Sequence, residues 1–139
     1  MKVLVDTSVW SLALRKKSLT EDEIKIVKEL KELIYELRVI LIGSIRQELL
    51  SGISNKDKYI SLKEKMKAFD DINILREDYE DAAAINNECR RNGIQGSHID
   101  YLICSVAKNN NFSIFTTDKD FINYEKFTDI RIHKIREDI

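Results

Sequence analysis

The sequence predicts an α/β protein: a three-layer α/β/α sandwich around a central parallel sheet of four to five strands. Three observations lead there. Short runs rich in β-branched residues recur along the chain, helical patterns of 3.6-residue spacing separate them, and alternating elements of this kind pair their strands in parallel beneath helices on both faces. The length of 139 residues fits one compact domain, residues 1–139, able to remove roughly two-thirds of its unfolded surface from water. No repeat, low-complexity tract or Gly/Ser linker marks an internal boundary.

Residues 2–5 form the first strand candidate, closed by Asp6. Thr20 and Glu23 have the form of a capping box, opening a helix that carries Ile24, Val27, Leu30, Leu33, Ile34 and Leu37 on one face. After a second strand at 39–42, Ser44 caps a helix with Ile45, Leu49 and Leu50, which Gly52 stops. Residues 56–69 and 78–92 read as helices flanking a third strand at 72–75, and Gly93 terminates the latter helix. Ser97, three residues before Asp100, has the form of an N-cap box for a helix with Ile99, Leu102, Ile103, Val106 and Ala107 inward. Runs at 113–116 and 130–133 complete the strands. With no proline, turns rest on four glycines and on Asn, Ser and Asp.

Composition narrows the function classes. A net charge of −1 argues against a protein held on nucleic acid mainly by a broad basic field, so a phosphate substrate must be gripped locally. No apolar run reaches membrane-spanning length, and the apolar start is broken early by Asp6, which gives a cytoplasmic expectation. Two cysteines, Cys89 and Cys104, are too few for a disulfide framework or a zinc site.

The chemistry concentrates in acidic residues at strand exits and the helix starts beyond them. Asp6 ends the first strand, Glu48 lies one turn into the helix after the second, Asp100 is in the first turn of its helix, and Asp118 and Asp120 follow the run at 113–116. Parallel strands bring all five to one rim, where ligands of open α/β sheets bind. Each also has a plain role: turn residue or cap for Asp6, capping partner for Asp100, helix cap for Asp118, solvated carboxylate for Glu48. Together they raise one another's pKa values unless a cation sits between them. Oxygen ligands without His or Cys suit Mg²⁺ or Mn²⁺, and phosphodiester hydrolysis is the chemistry such a constellation fits. Thr7, Ser8, Thr116 and Thr117 place short hydroxyls able to orient the carboxylates or a water.

VLVDTSVW, SIRQELLSG, SHIDYLICSVA and IFTTDKDF resemble, in order and spacing, the four acidic motifs of PIN-domain ribonucleases. The length and the TTDKDF ending are most similar to VapC-type toxins of toxin–antitoxin pairs. The resemblance implies a Mg²⁺- or Mn²⁺-dependent endoribonuclease that forms homodimers and is inhibited by a VapB-type antitoxin. It sets Asp6, Glu48 and Asp100 on the first three acidic positions, with Asp6 and Asp100 as main metal ligands and Glu48 as ligand or water orienter. TTDKDF offers both Asp118 and Asp120 for the fourth; Asp118, leaving the strand directly toward the rim, is favoured.

For substrate phosphates, Arg46 and the basic turn Arg15, Lys16 and Lys17 are the candidate cations. Trp10, Leu14 and the amphipathic helix at 20–37 suit either core packing or a dimer or antitoxin surface. His98 beside Asp100 is read as structural. Two competing schemes use similar acids. An aspartyl-phosphate phosphatase wants a second Asp two residues after Asp6, where this chain has Ser8; a receiver-like signalling domain wants its phosphoacceptor after the third strand, where Asp78 starts a helix.

Overall fold

The first strand of the chain is the middle strand of its sheet. In the computed structural model, which describes residues 1–137, β1 (Val3–Val5) lies between β2 (Val39–Ile40) and β3 (Ser113–Phe115), all parallel. The register pairs Val3 with Val39 and Ser113, Leu4 with Ile40 and Ile114, and Val5 with Phe115. All three β1 residues are fully buried, so helices must cover both faces.

Connections put them there. α1 (Thr7–Leu14) and α2 (Glu21–Tyr35) join β1 to β2; α3 (Gly43–Leu50), α4 (Lys56–Met66), α5 (Arg76–Arg91) and α6 (His98–Asn110) join β2 to β3; and α7 (Asp120–Tyr124) follows. The Leu41–Asp71 bridge carries the chain outward past β2 before it returns to β3, so right-handed crossovers lay α1 to α4, with α3 packed against α1, on one face and α5 and α6 on the other. α5 packs along α6, and α6 against β3.

Two expected strands, at 72–75 and 130–133, shrink to single parallel bridges, Leu41 with Asp71 and Ile114 with Ile132, leaving three strands among the described residues. Arg46 accounts for the first: its guanidinium donates to the carbonyls of Met66 and Phe69 and to Asp71, bending the approach away from a ladder. The second pairs only at Ile114, whose N–H donates to Arg131 O at 2.8 Å and whose carbonyl accepts from His133 N at 2.7 Å.

The Thr20–Glu23 capping box forms in both directions, at 3.2 and 2.9 Å. α2 buries Val27, Leu30 and Leu33 but ends at Tyr35, short of Leu37, which takes a positive φ of 58° and stays exposed, as does Ile24. Ser44 does not cap α3; that helix begins at Gly43, with Ile42 in the cap position. Trp10 is buried, its ring 5.1 Å edge-on to Phe69, so it belongs to the core.

Candidate active site

Asp6 leaves β1 at the point where the sheet's order reverses, with β2 on one side and β3 on the other. It occupies the cap position of α1, but its carboxylate caps nothing. Instead, Asp6 Oδ2 accepts from Ser8 Oγ at 2.8 Å and from Thr116 Oγ1 at 2.8 Å, which ties the exit of β1 to the exit of β3. The same hydroxyls fix the next turn: Ser8 Oγ accepts from Thr117 N at 3.0 Å and Thr116 Oγ1 from Asp118 N at 3.0 Å. A buried carboxylate, 7% exposed, is thereby held in one orientation.

Asp100 comes from the first turn of α6. Ser97 caps that helix by accepting the Asp100 N–H at 3.1 Å, which leaves the Asp100 carboxylate outside the cap. Its Oδ2 accepts instead from Tyr124 Oη at 2.7 Å. Burial raises the Asp100 pKa, the Tyr124 and Ser97 hydroxyls work against the rise, and the Asp6 and Asp118 charges add to it. Tyr124 is fully buried, and burial together with Asp100 pushes its phenol far above the ordinary range, so it stays a proton donor to Asp100. Gly96 makes room for this contact, since a Cβ there would fall 2.4 Å from Tyr124 Oη and 2.7 Å from Tyr101 Oη.

These elements meet around a pocket of about 330 Å³ lined by Asp6, Thr7, Ser8, Ser11, Arg15, Glu48, Asp100 and Asp118. Carboxylate oxygens of Asp100, Asp118 and Asp120 lie within 4.8 Å of one another, close enough to hold one metal ion. Asp118 also accepts the Asp120 N–H at 2.9 Å, so the residue shapes the start of α7 as well. Glu48 reaches the pocket from α3, and its pKa is raised by burial and by the charges of Asp6 and Asp100. Thr7 Oγ1 is buried without a well-formed hydrogen bond, and its hydroxyl works against the rise in the Glu48 pKa. All ligand-capable groups here are oxygens, a donor set for a hard divalent cation.

The structure therefore gathers Asp6, Glu48, Asp100, Asp118, Asp120, Thr7, Ser8, Thr116 and Arg15 at one rim, with Thr117 joined through its backbone. Arg46 stands apart: its bonds to Asp71 and to two carbonyls hold the α4 end, and it does not line the pocket. Lys16 pairs with Glu23 at 2.6 Å. His98 lies exposed beside Tyr79, Ile99 and Leu102, away from the acids. Ser11, Gly96 and Tyr124 carry no signal in the motifs; only the last turn of the fold brings Tyr124 to Asp100.

A comparison with curated proteins gives no match. Among solved structures, FitAcB from Neisseria gonorrhoeae is similar with a TM-score of 0.75 at 22% identity, covering 95% of this chain and 96% of that one. VapBC2 from Rickettsia felis, bound to a DNA fragment from its promoter, gives a TM-score of 0.76 at 15% identity over 96% and 98% of the two chains. A toxin–antitoxin complex from Klebsiella pneumoniae gives 0.64 at 16% identity over 86% and 90%. At these identities the likeness is one of fold. Residues 3–126 match the PIN domain family, and the chain belongs to it.

Proposed function

We propose that this protein is a Mg²⁺- or Mn²⁺-dependent endoribonuclease acting as the toxin of a VapBC-type pair. The observation that carries the reading is the acidic rim: five carboxylates converge where β1 and β3 end, and hydroxyls or a phenol already fix two of them. Burial raises the pKa values of Asp100 and Glu48 and the neighbouring carboxylates add to the rise, a repulsion that a cation relieves. Membership of the PIN family and the likeness to toxin–antitoxin structures support the nuclease toxin and a cognate VapB-type antitoxin, and we propose in addition that it acts as a homodimer. Among the described residues no helix is long and apolar enough to cross a membrane.

A bound divalent ion supplies positive charge against the phosphate and lowers the pKa of the attacking water. The residues do the rest. Asp100, Asp118 and Asp120, whose carboxylate oxygens lie within 4.8 Å of one another, would hold the ion together with Asp6 from the same pocket wall. Ser8 and Thr116 keep Asp6 from rotating, and Tyr124 does the same for Asp100. Glu48 accepts a hydrogen bond from the attacking water and aligns it with phosphorus. Arg15, the cation lining the pocket, binds a non-bridging phosphate oxygen as charge builds there.

The competing schemes lose their key residues. Asp78 is buried as the partner of the Leu75 N–H at 2.9 Å and of Asn109 at 2.9 Å, so it is no phosphoacceptor. Ser8, standing where a phosphatase needs an acid, is occupied with Asp6.

The test is cleavage of structured RNA by the purified chain with and without Mg²⁺, beside Asp6→Asn. The wild type cuts only with the ion, and the variant loses at least about 100-fold in rate. Equal cutting by the variant, or cutting in excess chelator, sinks the reading.

A further inference from the structure

Beside the acidic pocket lies a concavity of opposite charge. A groove of about 510 Å³ between the end of α1 and the α3–α4 loop and α4 is lined by Arg15, Lys16, Lys17, Lys58 and Lys65, with no carboxylate in its wall. Lys16 is held by Glu23, whereas Arg15, Lys17, Lys58 and Lys65 have no acidic partner among the described residues. In a chain of net charge −1, this is segregation of charge rather than a generally basic surface.

The cations stand on fixed supports. Lys58, Ser61 and Lys65 share one face of α4, two helical turns long, so the lysine stems emerge about 10 Å apart along the axis. Leu62, at the floor of the groove, and Met66 beside it anchor α4 in the core, and Asn55 caps the helix by accepting the Lys58 N–H at 3.0 Å. Arg15 closes α1 and lines both concavities, so the groove and the acidic pocket adjoin at this residue.

We propose that this groove is the track for the RNA strand on one side of the scissile bond. The lysines bind backbone phosphates outside the acidic pocket, and Arg15 stands at the junction. The inference rests on the nuclease reading for which phosphate is scissile, but not for the binding itself. Carboxylates at the pocket repel a polyanion, so a nearly neutral nuclease needs a cationic hold away from the reacting phosphate. Lysines on flexible stems contact phosphates as point charges without reading bases. An acidic protein segment has a similar charge, but the adjacency of groove and pocket at Arg15 favours a chain whose neighbouring phosphate sits at the acidic rim.

The test uses the triple variant Lys17→Ala/Lys58→Ala/Lys65→Ala, all three side chains being exposed and outside the acidic pocket. Binding of a single-stranded 12-nucleotide RNA is followed by fluorescence anisotropy in EDTA across a salt series. Cleavage of a dinucleotide with one phosphate is followed in Mg²⁺. The variant binds the long RNA at least about tenfold more weakly, and its slope of log affinity against log salt is shallower by about 2. Dinucleotide cleavage stays within about twofold of wild type, since that substrate has no phosphate for the groove. Unchanged RNA affinity and slope overturn the proposal, as does an equal loss on the dinucleotide. Loss of binding to a poly-glutamate peptide with RNA binding intact also overturns it and marks a protein-docking groove. A wild type that shows the lysine-dependent RNA binding but cuts neither substrate supports the track while sinking the nuclease reading.

Discussion

Tyr124 and Gly96 set the position of Asp100 without being acidic themselves. The 2.7 Å bond from the phenol fixes one carboxylate oxygen and leaves the other free for a ligand. Tyr124→Phe keeps the ring packing against Tyr101 and Phe121, at 5.1 and 5.2 Å, and removes only the donor. Its Mn²⁺ affinity, measured by calorimetric titration, should fall about tenfold while the fold persists. Gly96→Ala acts through space: both neighbouring rings are buried and cannot swing clear, so a loss of about 1–3 kcal/mol in chemical denaturation is expected. Unchanged affinity in the first variant would reduce Tyr124 to core packing. The acids themselves were legible because each follows a strand or opens a helix, a local pattern. Tyr124 was not, because its partner lies 24 residues away and only the packing of α7 beside α6 joins them.

At the scale of elements, the tail is fastened to α2 by one buried acid. Glu29 accepts from His133 Nε2 at 2.7 Å and from Arg136 Nε at 3.1 Å, and Arg136 also reaches Glu36 at 2.9 Å. Burial pushes the Glu29 pKa up, but the bonds from Arg136 and His133 prevail and hold it below its ordinary value. An acid with a lowered folded pKa stabilises the protein above its unfolded value of 4.5, and that stability is lost as pH falls through the folded value. Glu29→Gln should cost about 1–3 kcal/mol at pH 7, and the difference from wild type should shrink in denaturant titrations at pH values below 4.5. A pH-independent difference would contradict the ion-pair account. The helices α2 and α6 were readable from their caps, Thr20 with Glu23 and Ser97 with the Asp100 N–H, because capping chemistry is local. The edge strands were overstated: runs at 72–75 and 130–133 have the apolar pattern of strands, but Arg46 and the three-residue length of β3 limit each to one bridge. Arg46 itself looked like a phosphate ligand because sequence spacing places it near Glu48 and is silent on the carbonyls it meets.

For the whole molecule, near-zero net charge conceals a division into an acidic pocket and a basic groove that meet at Arg15. The acidic half is a cost to the metal-free fold. Glu48 and Asp100 have raised folded pKa values, so their ionisation destabilises the fold as pH rises from the unfolded values of 4.5 and 3.8 through the folded ones. A cation bound at the rim would reverse that cost. The basic half was only partly legible: the run Arg15 to Lys17 stands out in the sequence, while Lys58 and Lys65 join it only once α4 folds back against α3. The most direct test of the account is the thermal unfolding midpoint of wild type and Asp100→Asn at pH 7, each without metal and in saturating Mn²⁺. Without metal the variant should match or exceed the wild type, because its amide still accepts from Tyr124 and carries no charge. In Mn²⁺ the wild type should rise by several degrees and the variant much less, as expected when an ion binds only the folded state. Equal shifts in both proteins, or no shift in the wild type, would contradict the claim that the acidic rim is a metal centre.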